Sequence, residues 1–359
     1  MGFDFLKNAV MREDMELIFN LREWDVLKGK SVYISGAAGM MASYLTMFLI
    51  YLNECHNFSI ILYAGVRSEN KAHIRFGRYV ARDYFNLITE DVIHNFPIDT
   101  KIDYIIHAAS PASPQYYGGN PVETMLPNVV GTYQLLEHAK KFGVDSFLFF
   151  SSGTIYGEIN SDKIFESDSG IFNFMAPGSV YGESKRCGEA LMQAYFREYD
   201  VPARAVRINH VYGPTLDLQS DHRAFAEFVK NIVDRTDIIL MSDGRQKRAF
   251  CYITDAVLAI FTVLLDGAPG ESYNLANESQ FVSILELAEI LVSLYPEYGL
   301  KVVRKTRNEK GYLSLAQTND VVCDTTKIQG LGCHFSVSIR EGFYRTIQSF
   351  LQRRDCGEF

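Results

Sequence analysis

KSVYISGAAGMMASYLTMFLIYL, residues 30–52, is the stretch that decides the fold. It begins with a short β-like run, passes through a turn that contains Gly36 and Gly39, and ends in a long apolar segment typical of a helix. Glycines at such a turn let the backbone approach a pyrophosphate at the N-terminus of the following helix. Ala42, where a third glycine is common, still allows the helix to pack tightly on the strand. A plain tight turn is the alternative, but this order of elements favours a dinucleotide site.

Strand-like and helical segments continue to alternate downstream. Four further strand-like runs are SIILYAGVR (59–67), KIDYIIHAAS (101–110), SFLFFSSGTIYG (146–157) and ARAVRINHVYG (203–213). The alternation predicts an α/β fold with a Rossmann-type, doubly wound parallel sheet, in which all strands end at the edge where ligands bind. We expect a helical extension at 1–28, a dinucleotide-binding domain at 29–214 and a smaller, mixed α/β substrate lobe at 215–359. Chain crossings between the last two are expected.

Composition excludes several classes of protein. The chain has 359 residues and a net charge of −8, which argues against a general nucleic-acid binder. Its six cysteines form no CxxC pair and no metal-ligand spacing, as is typical of a reducing compartment, and no metal site is predicted. No apolar run reaches the roughly 20 residues that a membrane span needs, and acidic residues interrupt the N-terminal region. We therefore expect a cytoplasmic protein that is not bound to a membrane.

The stretch YGESK, residues 181–185, places Tyr181 and Lys185 four positions apart on one face of a helix. A lysine one turn away, together with a positively charged nicotinamide, favours the phenolate and lowers the pKa of the tyrosine. Ser152, near the end of a strand, is expected to hold the substrate oxygen. The group predicts hydride removal from a secondary alcohol, with Tyr181 taking the hydroxyl proton. An ordinary exposed helix face is the alternative.

The second strand ends in GVRSEN, which bears on the choice of dinucleotide. A carboxylate at this place would bind the ribose hydroxyls of NAD, whereas Arg67 stands here. An arginine can hold the 2′-phosphate of NADP or stack on adenine. NAD is the predicted cofactor, and NADP is the alternative.

Several motifs together resemble an extended short-chain dehydrogenase/reductase of the nucleotide-sugar epimerase/dehydratase family. They are SGAAGMMA, HAASPASP, NVVGT, SSGTIYG, YGESK, RINHVYGP, GRQKRAFCYITDAV and DTTKIQGLG, in the order of the family and spread over residues 29–350. The resemblance implies that bound NAD oxidises a nucleoside-diphosphate sugar, usually at C4. It also implies a homodimer formed by two helices on the flank of the sheet.

The resemblance assigns the site residues. The catalytic residues would be Ser152, Tyr181 and Lys185, and Asn128 would brace the active-site helix. Cofactor contacts would come from Gly36, Ala38, Gly39, Met40, Met41, Arg67, Asp91, Ala108, Ala109, Ser110, Asn128, Tyr181 and Lys185. Substrate contacts would come from Ser113, Ser152, Gly153, Thr154, Asn209, His210, Arg223, Arg245 and Arg248. His210 departs from the asparagine that is usual in the family, and Tyr116 and Tyr117 are expected either at the pocket rim or in a rigid surface loop.

The two residues after Ser152 bear on the reaction. The 4,6-dehydratases that the chain resembles have an Asp-Glu pair here, and UDP-glucuronate decarboxylases have a glutamate at the second position. Gly153 and Thr154 provide no carboxylic acid, whereas sugar 4-epimerases tend to carry a small residue and a threonine. HAASPASP, in contrast, resembles the decarboxylases. We predict a 4-epimerase, with a decarboxylase, a dehydratase or an NADPH-dependent reductase as alternatives.

Overall fold

The computed structural model describes residues 3–176, 178–305 and 320–357. Its strands are β1 (Ser31–Ser35), β2 (Ile61–Val66), β3 (Phe85–Thr89), β4 (Tyr104–His107), β5 (Ser146–Ser152), β6 (Lys163–Ile164), β7 (Ala203–Ile208), β8 (His210–Tyr212), β9 (Ile238–Leu240), β10 (Lys247–Tyr252), β11 (Ser272–Leu275), β12 (Phe281–Ser283), β13 (Val302–Arg304) and β14 (Val322–Cys323). Its helices are α1 (Ala9–Asn20), α2 (Met40–His56), α3 (Glu69–Phe76), α4 (Pro114–Gly119), α5 (Pro121–Leu126), α6 (Thr132–Phe142), α7 (Ser179–Tyr199), α8 (Ala224–Val233), α9 (Ile253–Asp266), α10 (Ile284–Ser293), α11 (Thr326–Gln329) and α12 (Ile339–Asp355). A π-helical turn, Pro127–Gly131, joins α5 to α6.

A parallel sheet of seven strands forms the centre, in the order β11-β7-β5-β4-β1-β2-β3. The strand order changes direction between β1 and β4. The ends of these two strands therefore flank the crevice where doubly wound sheets bind ligands. Every residue of β1 is buried, as expected for a parallel strand covered by helices on both faces. The predicted fold class is confirmed. β3 was not predicted, and it extends the sheet beyond β2.

The chain returns to the large sheet after the predicted boundary at residue 214. β11 (Ser272–Leu275) pairs with β7 and becomes an edge strand. The other strands of this part lie in small sheets, and one of these sheets joins β10 and β12 to β8, which precedes residue 214. In that sheet His210 lies opposite Phe250, which brings the end of the Rossmann strands next to β10. The division at residue 214 remains a proposal.

The N-terminal segment is anchored through a buried carboxylate. α1 packs on α9 and α12, and the side chain of Asp14 is fully buried between them. Asp14 accepts hydrogen bonds from the hydroxyls of Tyr44 (2.5 Å) and Tyr252 (2.7 Å) and pairs with Arg345 at 2.7 Å. Burial raises the pKa of Asp14, and the charge of Arg345 opposes that shift. These contacts join α1 to three parts of the body of the protein.

Within the described ranges, no helix has both the length and the apolarity to cross a bilayer.

Candidate active site

The glycine turn after β1 has the geometry that a dinucleotide needs. Gly36 has a φ of +64°, and a Cβ there would lie 2.8 Å from the Cα of Ala109. Both the backbone conformation and the close approach therefore require glycine. Gly39 is the N-cap of α2, and the first amides of a helix have no acceptor within the helix. Met40 and Met41 follow at this N-terminus, partly buried, and their amides are available to a phosphate.

The loop after β4 forms the opposite wall of the crevice. Ala108, Ala109 and Ser110 are partly buried there, beside the glycine turn. The Oγ atom of Ser110 is buried, and no hydrogen-bond partner for it is found in the described parts of the chain. An unpaired buried hydroxyl at this edge fits a site that is completed by a polar ligand such as a dinucleotide.

Arg67 and Asp91 lie beyond the ends of β2 and β3. They form a long ion pair of 3.9 Å, with 55% of the Arg67 side chain exposed. A contact of that length to a half-exposed guanidinium is weak, so the guanidinium remains accessible. The pair provides both a carboxylate for ribose hydroxyls and a cation for a phosphate.

Tyr181 and Lys185 lie on α7 and are buried. The Lys185 ammonium donates to the carbonyl of Phe150 at 2.5 Å and lies 5.8 Å from the centre of the Tyr181 ring. Burial lowers the pKa of Lys185 to about 7. Burial also raises the pKa of Tyr181 to about 12, although Ser152 and Arg223 act in the opposite direction. We expected Lys185 to lower the pKa of Tyr181, but without cofactor this pKa is raised, because the cost of burying the phenolate is larger than the opposing effects of Ser152 and Arg223.

Ser152 ends β5 beside the phenol of Tyr181, with which it forms a hydrogen bond. Its Oγ accepts hydrogen bonds from the amide of Thr154 at 3.2 Å and from the hydroxyl of Thr154 at 3.1 Å. The ring of Tyr117 stacks on Tyr181, with centres 5.3 Å apart and planes 11° apart. The hydroxyl of Tyr116 instead donates to Glu123 at 2.8 Å. Tyr117 therefore contacts the candidate catalytic base, whereas Tyr116 is turned to the surface.

The position after Ser152 has no room for a side chain. A Cβ on Gly153 would overlap the Oδ1 atom of Asn209. The amide of Asn209 donates to the carbonyl of Leu275 at 3.2 Å, which holds the side chain in place. Thr154 is exposed and carries no ionisable group. This strand end therefore lacks an acid, and Asn209 blocks the introduction of one at position 153.

Three candidate substrate residues come together on the other side of the cleft. Burial and the charges of Arg223 and Arg248 lower the pKa of His210 to about 3, so the imidazole is neutral beside two guanidinium groups. Arg223 also pairs with Asp221 at 2.6 Å. A neutral hydrogen-bonding group near two cations suits an anionic ligand.

Two further candidates lie apart from these three. The side chain of Arg245 is 88% exposed and lies 3.6 Å from Asp243, so it points to solvent and does not join the cluster. Ser113 is half-buried at the N-cap of α4 and makes no capping hydrogen bond with its side chain.

Asn128 lies in the π-helical turn next to α7. Its amide donates to the hydroxyl of Ser184 at 2.9 Å and to the carbonyl of Thr124 at 3.0 Å. No cluster of three or more potential metal ligands was found where the chain is described.

Comparison with known proteins agrees with this geometry. The sequence pattern of the NAD dependent epimerase/dehydratase family matches residues 32–276. This chain belongs to that family. The predicted resemblance and the predicted NAD cofactor are thereby confirmed, and the glycine turn and Ser110 are consistent with them.

Similar proteins carry out different reactions. UDP-glucuronic acid decarboxylase 2 of Arabidopsis thaliana is 31% identical over 328 residues, which cover 91% of this chain and 69% of that protein. The UDP-glucuronic acid 4-epimerase of Bacillus cereus, in complex with UDP-glucuronic acid and NAD, has a TM-score of 0.74 and 22% identity over 90% of this chain and 99% of its own. DesIV of Streptomyces venezuelae, a dTDP-glucose 4,6-dehydratase, has a TM-score of 0.72 and 22% identity over 90% and 98%. The solved structures establish the fold.

Proposed function

We propose that this chain is a 4-epimerase of a nucleoside-diphosphate sugar. The observation that carries the proposal is the end of β5, where Ser152 and Tyr181 meet but Gly153 and Thr154 provide no carboxylic acid. Epimerisation at C4 needs one group that exchanges a proton with the C4 hydroxyl, and no second acid or base. The residues present match that requirement.

Each catalytic side chain has one task. Ser152 holds the C4 oxygen by a hydrogen bond, and Tyr181 takes its proton and later returns it. Lys185 supplies positive charge below the phenol, 5.8 Å from the ring centre. Bound NAD supplies the hydride acceptor and a further positive charge that favours the phenolate. Inversion at C4 would require the 4-keto sugar to turn over in the pocket while Tyr181 keeps the proton that it later returns.

A dehydratase would need an acid and a base to eliminate water across C5 and C6. Neither Gly153 nor Thr154 can act in this way. Asn209 also fills the space next to Gly153, so the first of the two missing groups is excluded by packing as well as by sequence. This geometry supports the epimerase over the dehydratase.

The cluster of His210, Arg223 and Arg248 supports an anionic nucleotide as the handle of the substrate. Two guanidinium groups can form charge-assisted hydrogen bonds to a diphosphate, which a net-negative protein would otherwise repel.

We also propose a homodimer through the flank formed by α5, α6 and α7. Val122, Met125 and Tyr133 are large apolar side chains on this flank that are 41–66% exposed. Sedimentation equilibrium with an NAD-loaded sample tests this proposal, and a monomer at micromolar concentration would contradict it.

Decarboxylation of a UDP-uronate is the second candidate. The HAASPASP stretch and the Arabidopsis relative favour it. Loss of carbon dioxide from a β-keto acid proceeds with little acid or base assistance, so the absence of a carboxylate weakens this candidate without excluding the chemistry.

One experiment separates the candidates. The purified protein is incubated with UDP-, dTDP-, GDP- and CDP-sugars, and products are read by mass spectrometry and NMR. An isomer of unchanged mass supports the epimerase, loss of carbon dioxide identifies a decarboxylase, and loss of water identifies a dehydratase. For an epimerase we expect NAD to stay bound to the protein through purification. Consumption of added NADPH would instead identify a reductase.

A further inference from the structure

His107 is a buried titratable residue that the proposed chemistry does not use. It ends β4 and is 1% exposed. Its Nδ1 lies 2.7 Å from the hydroxyl of Ser35, and its Nε2 lies 3.0 Å from the carbonyl of Pro127. Because a carbonyl can only accept, Nε2 carries the proton and Nδ1 accepts from Ser35. Burial lowers the pKa of His107 to about 3, so the ring is a neutral imidazole in one tautomer.

The Ser35 hydroxyl joins this imidazole to the dinucleotide turn. Ser35 is the last residue of β1 and directly precedes Gly36. While it donates to His107, its oxygen accepts hydrogen bonds from the amides of Ala108 and Ala109, each at 3.0 Å. One hydroxyl thus connects the start of the glycine turn to the loop that forms the opposite wall of the crevice.

Pro127 joins the imidazole to the catalytic helix. It begins the π-helical turn, and Asn128 is the next residue. Asn128 donates to the hydroxyl of Ser184, which donates in turn to the carbonyl of Tyr181 at 2.8 Å. Two sets of hydrogen bonds, joined by the covalent link between Pro127 and Asn128, therefore connect the end of β1 to α7 through segments that are far apart in the sequence.

We propose that Ser35 and His107 are positioning residues that hold the dinucleotide turn and the catalytic helix in one fixed register. We call the chain Ser35–His107–Pro127–Asn128–Ser184 the relay. Proton and hydride transfer require the cofactor and the base to be placed within a fraction of an ångström. A relay of buried groups joined by hydrogen bonds provides that placement, since breaking one of these bonds leaves a buried polar group unpaired at a cost in free energy. The inference holds whichever sugar reaction the enzyme carries out.

The cofactor end is tested by calorimetric titration of NAD. Ser35→Ala leaves two amides and an imidazole nitrogen unpaired, and we expect NAD affinity to fall about tenfold or more. Ser35→Thr keeps the hydroxyl and should restore affinity to within about threefold. Ser151→Ala is the matched control, because Ser151 is buried on β5 and its hydroxyl has no partner among the described residues. Equal effects of Ser35→Ala and Ser151→Ala would overturn the proposal.

The helix end is tested by a double-mutant cycle. We measure NAD affinity in Ser35→Ala, in Ser184→Ala and in the double variant. Distant, independent sites give effects that multiply, whereas members of one network give a combined effect smaller than the product. Multiplicative effects would mean that the two ends are not coupled, and the relay would be wrong.

The imidazole itself is tested by ¹⁵N NMR of labelled protein. From about pH 5 to 8, the His107 ring should stay in the neutral tautomer with the proton on Nε2. Ser35→Ala should shift the Nδ1 resonance, while Ser151→Ala should not.

His107→Asn and His107→Gln each preserve one of the two hydrogen bonds of the imidazole, and both variants should bind NAD more tightly than His107→Phe. A protonated ring, or an Nδ1 resonance unaffected by Ser35→Ala, would overturn the assignment even if His107→Phe fails to fold.

Discussion

The cofactor side and the substrate side of this active site are built differently. The cofactor side consists of backbone turns and small buried side chains, and a Cβ on Gly36 would overlap the neighbouring loop. The substrate side consists of charged, partly exposed side chains such as Arg223 and Arg248. The first binds through close approach and the second through charge. We therefore expect the cofactor side to tolerate almost no added volume, and the substrate side to respond mainly to changes of charge.

The largest effect is expected where the two sides meet. Tyr181→Phe removes the proton acceptor but keeps the ring that stacks on Tyr117. Turnover should fall by roughly 10² to 10⁴-fold, while NAD affinity changes little. Product formation and calorimetric titration of NAD measure the two quantities. Turnover close to wild type would show that another group accepts the proton.

The cofactor side is probed by Gly36→Val. A side chain there meets Ala109, and the φ of +64° is unfavourable for valine, so NAD binding should be lost and the protein destabilised by about 1–3 kcal/mol. Gly143→Ala is the control, because Gly143 also has a positive φ, of +77°, but its Cβ would meet nothing within 4 Å. This control should lose stability without losing NAD affinity. If both variants bind NAD normally, NAD binding does not require the close approach of the Gly36 backbone to Ala109.

Charge on the substrate side is probed by Arg248→Ala against Arg245→Ala. Arg248 acts on the half-buried imidazole of His210, whereas Arg245 is 88% exposed and pairs with Asp243. The affinities of both variants for UDP, dTDP, GDP and CDP are measured. In Arg248→Ala, the affinity for the nucleotide that the wild-type enzyme prefers should fall about tenfold or more. The second variant should change by about twofold at most. A reversed order would place the diphosphate next to Arg245.

The last effect is a pH dependence of stability on the buried cofactor side, which changes folding and not ligand binding. The pKa of Lys185 falls from 10.5 to about 7 on folding, so between these values the unfolded chain holds more protons. The free energy of unfolding should therefore rise with pH across this range, by about 2 kcal/mol from pH 7 to 9, in NAD-free protein. Lys185→Met should lack this contribution in urea unfolding measured at both values. An identical slope in the two proteins would show that Lys185 is more solvated than its contacts indicate.

Local patterns were enough to predict the main parts of the cofactor side. The order of strand, glycine turn and helix in residues 30–52 was sufficient to predict the dinucleotide turn, because all three elements lie within one short segment. β3 was missed, since FNLIT is short and differs little from a loop in its pattern. His107 was noticed within HAAS, but its partners Ser35 and Pro127 lie far from it in the sequence, so its role was not visible.

On the substrate side, the sequence was enough to propose candidate residues but not to predict which of their side chains face the cleft. Arg245 and Arg248 are three positions apart, yet the first lies in a solvated loop and the second on β10. Which one faces the cleft depends on the pairing of β10 with β8, which places Phe250 opposite His210. The stacking of Tyr117 on Tyr181 likewise joins a loop to a helix.

The amino-acid sequence by itself determined the class of fold, the cofactor turn and the chemical groups available for the reaction. These depend on spacing along the chain and on side-chain identity. Only the tertiary structure decided that Asn209 excludes a side chain at Gly153, that Arg245 points to solvent, and that burial outweighs Ser152 and Arg223 in setting the pKa of Tyr181. Each of these depends on distances between segments that folding brings together, and on how far water is removed from the groups that meet there.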